Sequence, residues 1–197
     1  MIIHISISDH EEDSFESRES AVQVLTFGYL KSLEERKNCK LDSRSCPLYT
    51  AEGKYNNLAL MLSDQCPWTC EIRYEGSTHS IVKGSLLKQL DMSFKTVLAI
   101  HRDASSENGK NNKVPMALSE IILNAASHRR YDCDFPTVIN VDQDWLEVMS
   151  PGVPVRTGMS FRDRTRNPVL ADAFDQMGFK NPSIQGMDGV IKTYRSC

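Results

Sequence analysis

The sequence predicts an α+β fold with helices on one face of a sheet, and three stretches in its second half carry that prediction. Residues 116–128 place apolar positions at helical spacing. Residues 138–141 and 145–149 read as two strands around the turn Asp142-Gln143-Asp144, with Pro151-Gly152 breaking the second strand. Asn167-Pro168 offers an N-cap followed by proline at the first helical position, and Gly178 closes that helix. Helix, hairpin and helix in this order favour a layered α+β arrangement.

The first half reads less sharply. Residues 9–19, DHEEDSFESRE, carry six acids and one arginine with little to bury, so residues 1–20 are expected to be a mobile acidic lead-in. Val22, Leu25, Tyr29 and Leu33 recur at helical spacing and predict a helix from Ala21 to Leu33. A turn at Glu52-Gly53-Lys54 precedes an apolar run ending at Leu62. Thr69 to Tyr74 alternates as a strand does, with Glu75-Gly76 as a turn. Ser85 is an acceptable N-cap for a helix that lines up Leu86, Leu90, Phe94, Val97 and His101. Residues 103–113 are a loop by composition. These elements describe a small N-terminal α/β segment leading into the layered part.

Composition excludes some functions. The chain of 197 residues carries 23 Lys and Arg against 26 Asp and Glu, a net charge of −3, which is unlike a wholly basic nucleic-acid coat protein. Its longest apolar runs, such as Leu58 to Leu62, fall far short of the roughly 20 residues of a membrane helix. The start, Met1-Ile2-Ile3-His4, lacks the basic stretch and long apolar core of a signal peptide. A soluble, cytoplasmic protein with no membrane partner is the expectation. The six cysteines (Cys39, Cys46, Cys66, Cys70, Cys133 and Cys197) are then free, mostly buried thiols. The alternative is a zinc site from Cys39, Cys46, Cys66 and Cys70, whose first interval is wider than zinc pairs usually show.

Glu120, Asn124 and His128 stand at i, i+4 and i+8 and project from one face of their helix. Ile121, Ala125 and Ala117 lie on a neighbouring face suited to packing on a sheet. An asparagine oxygen is a hard ligand of the kind Mg²⁺ takes, and a glutamate one turn away can orient or deprotonate a water aimed at a phosphoryl group. The bland alternative is a solvated polar face. Arg156, Arg162, Arg164 and Arg166 cluster further on, with Arg129 and Arg130 as candidates to join them. They can clamp nucleotide phosphates or contact a DNA backbone, or they form a solvated loop partly neutralised by Asp163. Trp145 reads as core rather than as a base platform.

Three segments, SEIILNAASHRRYD (119–132), INVDQDWLEVMSPG (139–152) and RTRNPVLADAF (164–174), resemble one family in order. It is the GHKL (Bergerat-type) ATP-binding domain of transcriptional regulators that carry a Schlafen/AlbA-type domain and, often, a C-terminal winged helix. GKYNNLALMLSDQCPW (53–68) and KGSLLKQLD (83–91) resemble its connecting region, so the match covers about three quarters of the chain. The resemblance implies a two-layer sandwich of helices on a mixed sheet. It divides the chain into the lead-in, a connecting segment over 21–82, and the ATP-binding domain over 83–197.

The resemblance also assigns roles. Glu120 would orient water, Asn124 would bind Mg²⁺, and His128 would sit near the phosphates or the lid. Gly152, with Pro151, would form the first glycine loop, and Gly189 would close the second, with Lys192 where the family usually has arginine. Arg166, Asn167 and Pro168 would dock the following helix. The implied ligands are ATP and Mg²⁺, the implied activity at most a slow Mg²⁺-dependent ATPase, and the implied partners nucleotide and a second copy of the chain. DNA would be reached only through a module outside this chain. Two departures favour an alternative: no Asp precedes Gly152, and Met187-Asp188-Gly189 stands where Gly-x-Gly is usual. The alternative is a degenerate GHKL-like fold that binds no nucleotide and serves as an interaction or dimerisation module.

Overall fold

The computed structural model describes residues 14–104, 113–142, 146–152 and 165–179. Five helices, α1 (Gly28–Lys37), α2 (Asn57–Leu62), α3 (Leu86–Ala104), α4 (Lys113–His128) and α5 (Pro168–Gln176), accompany a four-stranded sheet. Its strands are β1 (Cys70–Tyr74), β2 (Ser77–Val82), β3 (Thr137–Val141) and β4 (Leu146–Met149), in the spatial order β2-β1-β3-β4. β1 pairs antiparallel with β2 and parallel with β3, and β3 pairs antiparallel with β4, so the sheet is mixed. The fold is α+β with helices layered on that sheet. Two strands come from each side of residue 83.

The β1–β2 hairpin follows its turn chemistry. Glu75 (φ 49°) and Gly76 (φ 76°) both take positive φ, as a two-residue turn matched to strand twist requires. On one face of the sheet, Cys70, Ile72, Ile139 and Val141 enter the core beside Leu87 and Leu118. The opposite face carries polar pairs: Arg73 Nε donates to Glu71 at 2.8 Å and Asn140 Nδ2 to Glu147 at 2.8 Å. That alternation is the period-2 signature of a sheet covered on one side, interrupted in β3 where Val138 on the opposite face is also buried.

α1 begins at Gly28 rather than at Ala21. Its first amides, Gly28 and Tyr29, donate to the Asp64 carboxylate at 2.7 and 3.2 Å. Residues 21–27 run without helix, held by Thr26 N–H to Gln65 Oε1 (2.7 Å) and Asp64 N–H to Thr26 O (2.8 Å). A cap supplied from a distant residue overrides the apolar spacing that suggested an earlier start. α4 differs from expectation in its packing face. Leu118 (1% exposed) and Ile122 (5%) are its core residues, whereas Ile121 and Ala125 are only half-buried.

Residues 14–20, at the end of the expected lead-in, are docked rather than loose. Phe15–Ser17 forms a 3-10 turn, and Glu16 is 1% exposed. Its carboxylate receives the first free amides of α5, Val169 at 2.8 Å and Leu170 at 2.9 Å. The composition of residues 9–19 hid this because one buried acid among several exposed ones leaves no pattern. Residues 1–13 lie outside the described residues.

Candidate functional site

The face of α4 expected to carry chemistry holds together in part. Glu120 is 7% exposed, Asn124 is half-buried, and Asn124 Nδ2 donates to Glu120 Oε1 at 3.3 Å. With its nitrogen turned toward the carboxylate, the Asn124 amide is oriented so that its oxygen points the other way, which fixes an otherwise ambiguous O/N assignment. His128, two turns on, is exposed. Partial loss of hydration and the nearby Arg166 charge both lower its pKa, so its imidazole stays neutral near pH 7 and can accept a hydrogen bond.

The last turn of α4 is where the other motif segments meet. A helix ends with carbonyls that lack intrahelical partners, and here they are met from three directions. Ser150 Oγ donates to Ala125 O at 3.0 Å, and the Tyr131 hydroxyl to Ala126 O at 2.8 Å. Asn167 Nδ2 bridges Ser127 O (3.0 Å) and Arg129 O (2.9 Å), and Asn167 N–H adds a bond to Ser127 O at 3.2 Å. Arg130 N–H donates to Pro151 O at 2.8 Å. Gly152, at φ 142°, lies so close to α4 that a Cβ would stand 3.3 Å from His128 O. Only glycine combines that backbone with that approach.

Several expected site residues find other neighbours. Arg129 is 2% exposed; it donates to Thr137 Oγ1 at 2.8 Å and to Phe135 O, and its guanidinium lies 5.3 Å from the Tyr131 ring centre. It is a structural cation at the negative end of α4. Arg130 is exposed and forks onto Asp132 at 2.9 and 2.7 Å. Gly189, Met187, Asp188, Lys192, Trp145, Arg156, Arg162, Arg164 and Cys197 lie outside the described residues, as does the partner loop that Gly189 would complete.

Cys46, Cys66 and Cys70 are buried in the core, whereas Cys39 and Cys133 are half-buried. Cys46 Sγ faces Val169 O and Asp172 Oδ2, each at 3.7 Å, and burial pushes its thiol up to about 11. Cys66 contacts Gln89 at 3.8 Å, and burial pushes its thiol up to about 12. Cys39 contacts the Met177 sulfur at 3.9 Å. Among the described residues, no three His, Cys, Asp or Glu side chains are grouped to hold a metal.

Sequence reasoning missed the residues that organise this region. Tyr131 and Trp68 pack edge to face at 5.0 Å, and Phe15 packs edge to face on Trp68 at 6.1 Å. Trp68 beside Pro67 carried no local signal. Asn167 was visible as a helix-start residue, yet its carboxamide serves the end of α4 instead of its own helix. Glu16 takes that capping role at α5.

No family model matches this chain, and no curated protein matches it. Among solved structures, it is similar to the DIP2311 protein from Corynebacterium diphtheriae, with a TM-score of 0.64 and 19% identity. The similarity covers 85% of this chain and 33% of that one, so the chain spans about a third of that protein's length. At such identity the likeness is one of fold.

Proposed function

We propose that this chain is a nucleotide-binding module of the GHKL kind, working in a cytoplasmic transcriptional regulator with ATP and Mg²⁺ as ligands. The observation that carries the proposal is the α4 pair: a half-buried carboxamide held by a buried glutamate one turn before it. That donor set suits Mg²⁺, which takes one or two protein oxygens, keeps waters, and completes its shell with phosphate. Asn124 Oδ1 would contact the metal; Glu120 would hold Asn124 in place and orient a water. Bound Mg²⁺ would neutralise phosphate charge. Neutral His128 and Gly152, at the far end of the same face, would border the phosphate tail.

Calorimetry with ATP and ADP in Mg²⁺ tests the proposal. Binding heat that Asn124→Ala abolishes, in a protein whose circular dichroism is unchanged, is the expected result. No heat at millimolar nucleotide with the fold intact rejects it. Should nucleotide bind, equal turnover before and after Glu120→Ala would remove the slow ATPase activity and leave binding alone.

A second function is compatible with the same contacts. The Ser150–Gly152 and Arg166–Pro168 segments are engaged in docking onto α4, which a non-binding interaction or dimerisation module would equally need. A light-scattering mass of one chain at high concentration would count against it. Among the described residues no helix is long and apolar enough to cross a membrane.

A further inference from the structure

Residues 15 and 16 touch two separate chains of contacts that end at the same place. The first starts at Glu16, whose carboxylate closes the N-terminus of α5 through Val169 and Leu170. The residue just before that helix, Asn167, spans Ser127 O and Arg129 O at the end of α4. The second starts at Phe15, which packs on Trp68; Trp68 packs on Tyr131; the Tyr131 hydroxyl binds Ala126 O. Phe15 itself is fixed by Asn57 Nδ2, which donates to its carbonyl at 3.0 Å.

The other end of α5 is held from the same part of the chain. Lys37 Nζ donates to Met177 O at 2.6 Å and Gly178 O at 3.2 Å, and lies 4.3 Å from the Phe179 ring centre. An acid at the N-terminus and an ammonium at the C-terminus match the helix dipole at both ends. α5 is therefore gripped lengthwise by side chains from residues 16 and 37, and its position sets where Asn167 meets α4.

We propose that Phe15 and Glu16 form a latch whose docking, relayed by α5–Asn167 and by Trp68–Tyr131, sets the conformation of the α4 end that carries His128 and abuts Gly152. Glu16 and Asn167 are positioning residues in this scheme: they act through α5 and α4. Coupling of this kind is reciprocal, because loosening either end must loosen the other by the same free energy. The latch needs no nucleotide, so it stands or falls separately from the function proposed above.

Native-state hydrogen exchange on the full chain tests it. In Glu16→Gln, which keeps one acceptor oxygen, and in Glu16→Ala, exchange at Val169 and Leu170 should rise, more in the alanine variant. The Arg130 and Asn167 amides, which bond Pro151 O and Ser127 O, should rise with them by about fivefold or more. Asn167→Ala should in turn speed exchange at Asn57, whose amide bonds Arg18 O beside the latch. Val82→Ala, a core truncation on β2, supplies the control: it should lower global stability without selectively exposing these amides. A rise confined to Val169 and Leu170, or an identical pattern in Val82→Ala, would overturn the latch. Should Glu16→Ala fail to fold, the Glu16→Gln and Asn167→Ala pair still decides.

Discussion

Two helices here begin against a carboxylate supplied from far along the chain, and the two acids occupy opposite surroundings. Asp64 receives Gly28 and Tyr29 of α1 at an exposed position and also accepts from the Thr26 hydroxyl at 2.8 Å. Burial pushes its pKa up, but these hydrogen bonds outweigh it and leave the carboxyl below its ordinary 3.8. Glu16 receives Val169 and Leu170 of α5 at 1% exposure. There desolvation outweighs the two amide bonds and leaves the carboxyl above its ordinary 4.5. The same capping geometry therefore favours the ionised acid at α1 and disfavours it at α5, because solvent access decides which influence is larger.

The largest effect should come from the buried cap. Glu16→Ala leaves the buried Leu170 amide and the half-buried Val169 amide without their acceptors and should lower unfolding free energy by about 3 kcal/mol in urea denaturation. Asn167→Ala, which takes the carboxamide donor from Arg129 O and leaves Ser127 O only its bond from the residue 167 amide, should cost about 2 kcal/mol. Asp64→Ala, whose amides can turn to water, should cost about 1 kcal/mol. A loss at Asp64 equal to or larger than that at Glu16 would break the comparison.

The pH dependence sharpens it. Asp64 has a depressed folded pKa, so its contribution is complete above the ordinary carboxylate value and is lost as pH falls through the folded one. Glu16 has a raised folded pKa, so its contribution is greatest below the ordinary value and declines as pH rises through the folded one. The stability difference between wild type and Asp64→Asn should shrink toward acid. The difference between wild type and Glu16→Gln should shrink as pH rises from below 4.5. Urea midpoints measured across both ranges check the two signs.

Legibility from sequence followed the range of the interaction. β1 and the turn after it are readable because Thr69 to Tyr74 alternates and Glu75-Gly76 is a local turn signal, whereas β2 carries no such signal; the starts of α3 and α5 are readable because Ser85 and Pro168 lie beside them. The closeness of Glu120 and Asn124 followed from helix spacing alone. The start of α1 was misplaced because its cap is 36 residues away. The role of Glu16 was invisible because its partners are 153 and 154 residues away. The packing face of α4 was misjudged because Glu120 and Leu118 are both buried, so polarity does not separate inside from outside on that helix.

The grip on α5 has a practical consequence for anyone who would divide this chain. A fragment starting at residue 83 would keep the α4 pair but lose β1 and β2, the carboxylate over Val169 and Leu170, and the ammonium over Met177. It would expose the apolar edge of β3 and leave α5 unmoored at both ends. Such a piece should be sticky and poorly soluble, and a ligand titration on it would report the damage of the cut, so recombinant work belongs on the whole chain.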